Sequence, residues 1–357
     1  KEGERAPALW SITPAYGGYF REQSFSQWNE EHKVWVEPEY IYTDATVVPL
    51  LEPSQETKEG FNISMRATVS VNQWVSLPVP YTHDIARAES QGKSVAVKKD
   101  QNGDAVVYVS GNDGESVEVL VSLAPVVGKK YSGAISVPEM RAVFSEETAQ
   151  EIERVRRERR GNISKASALS SHVRKRVRYL APKDAADAER YNEAYRTHEN
   201  GFAGAVDELR AADCDVANTY FAALCAKIDI PVRHVVGHSV KGEDARTGAS
   251  QIHSGTGHAW SEVWNEKEHA WVRIDATSAG DPQLEEEKSK DGQCIPGDFG
   301  EQEAVGPSDE YLAKVKAELE KKVEQLSYTL AERKIADDTG IELREARQIM
   351  KEIIAAE

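Results

Sequence analysis

The chain has 357 residues, 40% of them hydrophobic and 29% charged, and a formal net charge of -16. That length exceeds what one core usually reaches and points to two or three domains, while the composition excludes a disordered or fibrous chain. The acidic excess excludes nucleic acid as the main partner and disfavours anionic membrane surfaces, because phosphate binding needs clustered Lys and Arg.

Three cysteines, Cys214, Cys225 and Cys294, are too few and too scattered for a disulfide framework or a paired-cysteine zinc site. No apolar run is long enough to span a bilayer. The chain reads as soluble, and its start at Lys1 fits the extracytoplasmic part of a secreted or membrane-anchored precursor, with the compartment itself left open.

Residues 1–28 are rich in Gly and aromatics, including Trp10, Tyr16, Gly18, Tyr19 and Phe20, and show no sustained period, so an irregular lead-in is expected. Residues 29–140 change to short β-branched runs such as Ile63 to Val71, Val106 to Val109 and Val117 to Val121. Turn signals at Asn102-Gly103 and Asp113-Gly114 separate some of them, which predicts hairpins and an antiparallel β-sandwich with a supporting role.

Helical composition begins near 144, with Ser145 ahead of Glu146 and Glu147 as one start and Asn162 as the cap of a second. The Arg-rich runs Arg154 to Arg160 and Arg174 to Arg178 read as solvated helix faces, because Glu is interleaved with the first and the whole chain is acidic. Residues 141–282 form the domain that carries chemistry. After a linker at 283–307, the stripe Leu312, Val315, Leu319, Val323, Leu326 and Leu330, and a capping box at Thr339 and Glu342, predict a helical hairpin or coiled-coil arm over 308–357. Docking or self-association is the function such an arm supports.

Cys214 follows a polar loop and precedes Val216, Ala217, Phe221, Leu224, Cys225 and Ile228, the buried stripe of a helix. A thiol at a helix start meets unpaired N–H groups and a partial positive charge, which favour a thiolate and a developing oxyanion. Cys225, on the same face and roughly 16 Å along an intact helix, reads as a buried apolar residue.

Pro231 ends this helix, and strands follow at Val232 to Gly237, Gly257 to Trp264 and Ala270 to Asp275. If Glu262 faces Trp271 across the last hairpin, Trp260 faces Arg273 and His258 faces Asp275, a base beside the carboxylate that orients it. A thiol nucleophile needs that pair. Trp260 near Arg273 predicts a cation–aromatic pair, and Trp260, Trp264 and Trp271 read as core with a groove-facing edge. The clustered His234, His238, His253, His258 and His269 come with no ligand motif, so no metal or cofactor is assigned.

The blocks Asp213-Cys214-Asp215-Val216-Ala217-Asn218, Ile230 to Gly237, Gly257 to Val263 and Trp271 to Thr277 occur in an order and spacing that resemble the transglutaminase-like superfamily. The resemblance covers residues 145 to 282 and implies a papain-like α+β fold with the triad Cys214, His258 and Asp275. Many relatives have Gly where this chain has Asp213. The tryptophan that assists the oxyanion in animal transglutaminases has no counterpart upstream of Cys214, where Tyr179 stands as the candidate.

The step from Cys214 to Asn218 is similar to that of peptide N-glycanases, whose Cys-x-x-Cys zinc motifs are missing here. The family's breadth implies an amide-acting thiol enzyme with a peptide or protein substrate, and hydrolysis is expected ahead of acyl transfer to an amine. A scaffold that kept the fold for binding is the contrasting class.

Overall fold

A computed structural model describes residues 5–6, 9–37, 39–50, 61–126, 128–180, 185–240 and 249–277. The expected linker and helical arm, with Cys294, lie outside the described residues.

Three sheets dominate. A six-stranded sheet runs Lys93–Ser94, His83–Ser90, Ser116–Pro125, Ile63–Ser70, Trp10–Thr13 and Ser250–Ile252 in spatial order. A five-stranded sheet is built around Trp74–Leu77, Ala105–Tyr108 and Val97–Lys99. The two share one apolar core containing Met65, Val119, Ile85, Leu77 and Val107. Alternation in Ile63–Ser70, buried at Ile63, Met65, Ala67 and Val69, turns one face of that strand inward.

The third sheet runs Ala270–Ile274, Gly257–Asn265, Val232–Val240, Gly18–Phe25 and Val79–Pro80. Helices α1 (Glu146–Glu158), α2 (Asn162–Arg176), α3 (Ala185–Thr197), α4 (Gly201–Leu209) and α5 (Cys214–Ala226) belong to the same half of the chain. A core of Leu169, Val173, Phe221, Leu224, Val232 and Val263 joins α2 and α5 to this sheet. Ser145 caps α1 through its side chain. Asn162 does not cap α2: Gly161 occupies the cap at φ 76°, and the Asn162 amide donates to the Trp264 carbonyl at 3.1 Å.

The lead-in is not irregular. Trp10–Thr13 joins the six-stranded sheet and Gly18–Phe25 sits between Val232–Val240 and Val79–Pro80. An interior strand packed on both faces loses the alternation that betrays a strand, and Gly18 to Arg21 are all buried. Gly237 lies at a break in this pairing, where a Cβ would collide with the Phe20 carbonyl oxygen. Nor does the chain divide cleanly at 140: Val79–Pro80 lies in the third sheet and Ser250–Ile252 in the first.

The shared strands bury a charge cluster. Arg21 Nε donates to Glu262 Oε1 at 3.0 Å, its Nη1 pairs with Asp104, and Arg233 Nε donates to Glu262 Oε2 at 2.6 Å. The Tyr81 hydroxyl also donates to Glu262, and Ser24 N–H donates to Asp104 at 2.8 Å. Burial opposes the Glu262 charge, but the two guanidinium groups bring its pKa down to about 2. A lowered carboxylate pKa contributes stability that is complete above the ordinary carboxylate range and lost as pH falls toward 2.

Removing one member of a buried ion cluster leaves the others uncompensated. Arg21→Met should therefore destabilise the fold by about 3–5 kcal/mol in urea unfolding at neutral pH. Arg154→Ala, which breaks partly exposed pairs to Glu151 and Glu158, should cost less than about 1 kcal/mol. Equal losses would show that the cluster does not hold the sheets together.

Candidate active site

Helix α5 begins at Cys214 because Asp213 is extended and its Oδ1 accepts the Val216 N–H at 2.9 Å. The position where many relatives have Gly is thus a helix cap here. Cys214 is partly exposed at the first helical residue, facing a cleft of about 760 Å³. Cys225 lies in the core of the same helix, where burial pushes its thiol pKa well up and keeps it protonated.

His258 stands at the start of the strand Gly257–Asn265, 4% exposed, and shares a 2.7 Å hydrogen bond between Nε2 and Asp275 Oδ2. With Nε2 committed to the carboxylate, Nδ1 is the remaining ring nitrogen, and His258 and Cys214 line the same cleft. Burial opposes the imidazolium, yet the Asp275 charge, its hydrogen bond and the thiol hold the His258 pKa well above its usual value. Burial likewise opposes the Asp275 charge, but His258, Thr277 and Tyr19 hold that carboxyl well below the usual range.

The pair forms through a different register from the one expected. Ser261 faces Ile274 and Glu262 faces Arg273, two residues away from the pairing that would set His258 opposite Asp275. The cause is the turn. Asn265 pairs with Ala270 across four residues, with His269 left-handed at φ 49° and Asn265 Oδ1 accepting the Lys267 and Glu268 N–H groups. A slip of two keeps side chains on the same face, so base and acid meet as diagonal neighbours.

The expected Trp260–Arg273 pair is not formed. Trp260 is fully buried and donates Nε1 to the Tyr81 hydroxyl at 2.7 Å, while the Arg273 guanidinium lies 3.8 Å over the Tyr19 ring.

Asn218 is the internal organiser. Its Nδ2 lies 2.9 Å from the Cys214 carbonyl, 3.0 Å from the Ala259 carbonyl, and 3.2 Å from both Asp275 Oδ1 and Thr277 Oγ1. Its Oδ1 accepts the Ala276 N–H at 3.0 Å. One buried amide thus ties the start of α5 to the strand carrying His258 and to the Asp275–Thr277 segment. Tyr179 pairs in parallel register with Ala212, two residues ahead of Cys214.

Tyr19 belongs to this site although it came from the segment read as lead-in. It is 2% exposed, its hydroxyl donates to Asp275 Oδ2 at 2.6 Å, and its ring meets His258 edge-on at 5.5 Å. Nothing local marked it, because its role depends on pairing with a strand more than two hundred residues away. The other histidines pair one to one rather than converging: His234 Nε2 lies 3.0 Å from Asp215 and His238 Nε2 lies 3.2 Å from Glu22. Among the described residues no three potential ligands gather for a metal.

With this geometry in view, residues 147–276 match the family model of the transglutaminase-like superfamily. No curated protein matches significantly. Among solved structures, the periplasmic domain of TgpA from Pseudomonas aeruginosa aligns with a TM-score of 0.47 and 12% identity, over 77% of this chain and 88% of that one. A candidate cysteine protease from Cytophaga hutchinsonii aligns with a TM-score of 0.28 and 14% identity, over 76% and 78%. The segment 147–276, which holds Cys214, His258 and Asp275, is a member of the transglutaminase-like superfamily.

Proposed function

We propose that the protein is a thiol hydrolase acting on a peptide or isopeptide-type amide. The observation that carries this reading is the arrangement of Cys214 at a helix start, His258 lining the same cleft, and Asp275 Oδ2 2.7 Å from the His258 Nε2. Cys214 gives its proton to His258 as Sγ attacks the amide carbonyl carbon, and the oxygen takes up negative charge beside the Cys214 N–H at the start of α5. As the C–N bond breaks, His258 gives its proton to the leaving nitrogen, and a thioester remains on Cys214. Water then gives a proton to His258 and attacks the thioester, releasing a carboxylic acid and restoring the thiol.

Asn218 fixes where α5 begins relative to Asp275, and Arg273 acts through Tyr19. Tyr179 supports the loop before Cys214 through the bridge to Ala212. Trp260 holds the floor beneath His258.

Native alkylation with iodoacetamide, read by peptide mass spectrometry across pH, tests the nucleophile. Cys214 should react far faster than Cys225 or Cys294, and His258→Ala should remove most of that advantage. Equal reactivity of Cys214 and Cys294 would overturn the reading.

Products from a glutamine-containing peptide library, offered with and without a labelled primary amine, test the reaction. Cleaved or deamidated products should disappear in Cys214→Ala and fall about 10²–10⁴-fold in His258→Ala. Dominant amine incorporation would instead make the protein an acyl transferase. Absence of both products would make it a scaffold.

The pH dependence has a definite sign. The protonated form of His258 is stabilised, so its contribution is complete below the ordinary histidine range and lost as pH rises through the raised value. Tyr19 and His258 share Asp275 Oδ2, so the Tyr19 hydroxyl takes up part of the charge that would otherwise hold the imidazolium. Tyr19→Phe should move the alkaline limb of Cys214 alkylation upward. It should also lower turnover about 10–100-fold, as expected for loss of a charge-assisted hydrogen bond worth about 1.5–3 kcal/mol. An unmoved limb would reduce Tyr19 to packing alone.

A further inference from the structure

The cleft beside Cys214 has two walls of different origin. One is the family segment, through α5 and the strand Val232–Val240. The other is an antiparallel hairpin, Gln27–Asn29 paired with Val34–Val36, which lies outside that segment.

The hairpin is fastened to the site wall. Trp35 donates Nε1 to Thr219 Oγ1 at 3.0 Å and stacks on His234 with ring centroids 5.4 Å apart and planes 9° from parallel. His234 in turn pairs with Asp215, the residue after Cys214. Trp28 packs edge-on against Trp35 at 5.6 Å and, with its ring tilted, against Phe202 at 5.7 Å, and its Nε1 donates to Glu30 Oε2 at 2.8 Å. Both indole N–H groups are thus satisfied within the protein, and ring surface is what remains for the cleft. Val34, 46% exposed on the same wall, extends the apolar surface.

Around the cleft, Lys33 pairs with Glu30 and Arg196 with Glu189 and Glu193, while Glu22 and Asp215 lie 3.2 Å and 3.0 Å from the Nε2 atoms of His238 and His234. The basic side chains are thus already paired, and an aromatic or branched apolar substrate side chain would gain buried area and ring contacts on the hairpin wall.

We infer that the hairpin wall is a specificity subsite taking a bulky apolar side chain of the substrate, on the acyl side of the amide that Cys214 attacks. The acyl side follows from the geometry of α5: the Cys214 N–H at its start would hold the acyl oxygen, and Val216 and Thr219 line the cleft from the same helix. The volume of about 760 Å³ suits one large side chain with its flanking backbone. This inference rests on the nucleophile reading above.

Short peptidyl chloromethyl ketones, which alkylate a nucleophilic thiol with loss of chloride, provide the test. Probes carry Phe, Leu, Lys, Asp or Gly at each of the two positions before the electrophilic carbon, and Cys214 labelling is timed by mass spectrometry. The readout is the ratio of Phe to Gly rates within each variant, which cancels changes in thiol reactivity.

The unsubstituted protein should favour Phe over Gly by about 10–200-fold at one position. Trp28→Ala should bring that ratio toward one. Val34→Asp, at an exposed position that tolerates substitution, should lower it and raise the Lys rate. Equal Phe and Gly rates, fastest labelling by Lys or Asp probes, or ratios unchanged in both variants would overturn the subsite. Failure of the nucleophile itself would be seen separately, as equal iodoacetamide uptake by Cys214 and Cys294.

Discussion

The antiparallel pairing of Gly18–Phe25 with Val232–Val240 is the contact on which both halves of the described structure depend. It occupies what would otherwise be an open sheet edge beside the central strand. It also fixes two side chains in register: Ser239 faces Tyr19, and Gly237 faces Arg21. Tyr19 thereby reaches Asp275, while Arg21 reaches Glu262 and Asp104. A single strand insertion supplies both a partner of the acid and the main countercharge of the buried cluster.

The energetic character of the site follows from how completely its acid is surrounded. Asp275 Oδ1 receives Asn218 and the Thr277 N–H at 2.8 Å, and Oδ2 receives His258 and Tyr19. A buried carboxylate with every partner in place stays ionised and rigid, whereas a partly satisfied one would be a liability. This saturation holds the His258 ring in one orientation. In the proposed reaction His258 exchanges a proton with Cys214 while Asp275, held well below the usual carboxylate range, stays ionised.

The family match begins at residue 147, yet parts of the site come from well before it. Tyr19 and the hairpin carrying Trp28 and Trp35 belong to the first 40 residues, and the Tyr81 hydroxyl reaches both Trp260 and Glu262. The superfamily segment contributes Cys214, His258 and Asp275. The preceding chain contributes the second partner of the acid and one wall of the cleft.

The sequence by itself determined what is local or periodic. The helix after Cys214 was legible from its apolar stripe, the helix start from Ser145, and the last hairpin from β-branched runs around a polar turn. Four ordered blocks were enough to place Cys214, His258 and Asp275 within one superfamily. The tertiary structure alone decided what depends on distant pairing. Gly18–Phe25 carries no alternation because neighbours bury it on both faces, so its strand character and the role of Tyr19 were invisible. The hairpin register turned on a left-handed His269 and the Asn265 side chain, which set a four-residue loop and moved Arg273 from Trp260 to Tyr19. Asn162 packs on Trp264 instead of capping for the same reason: the partner that claims its amide lies about a hundred residues away, beyond the reach of any local signal.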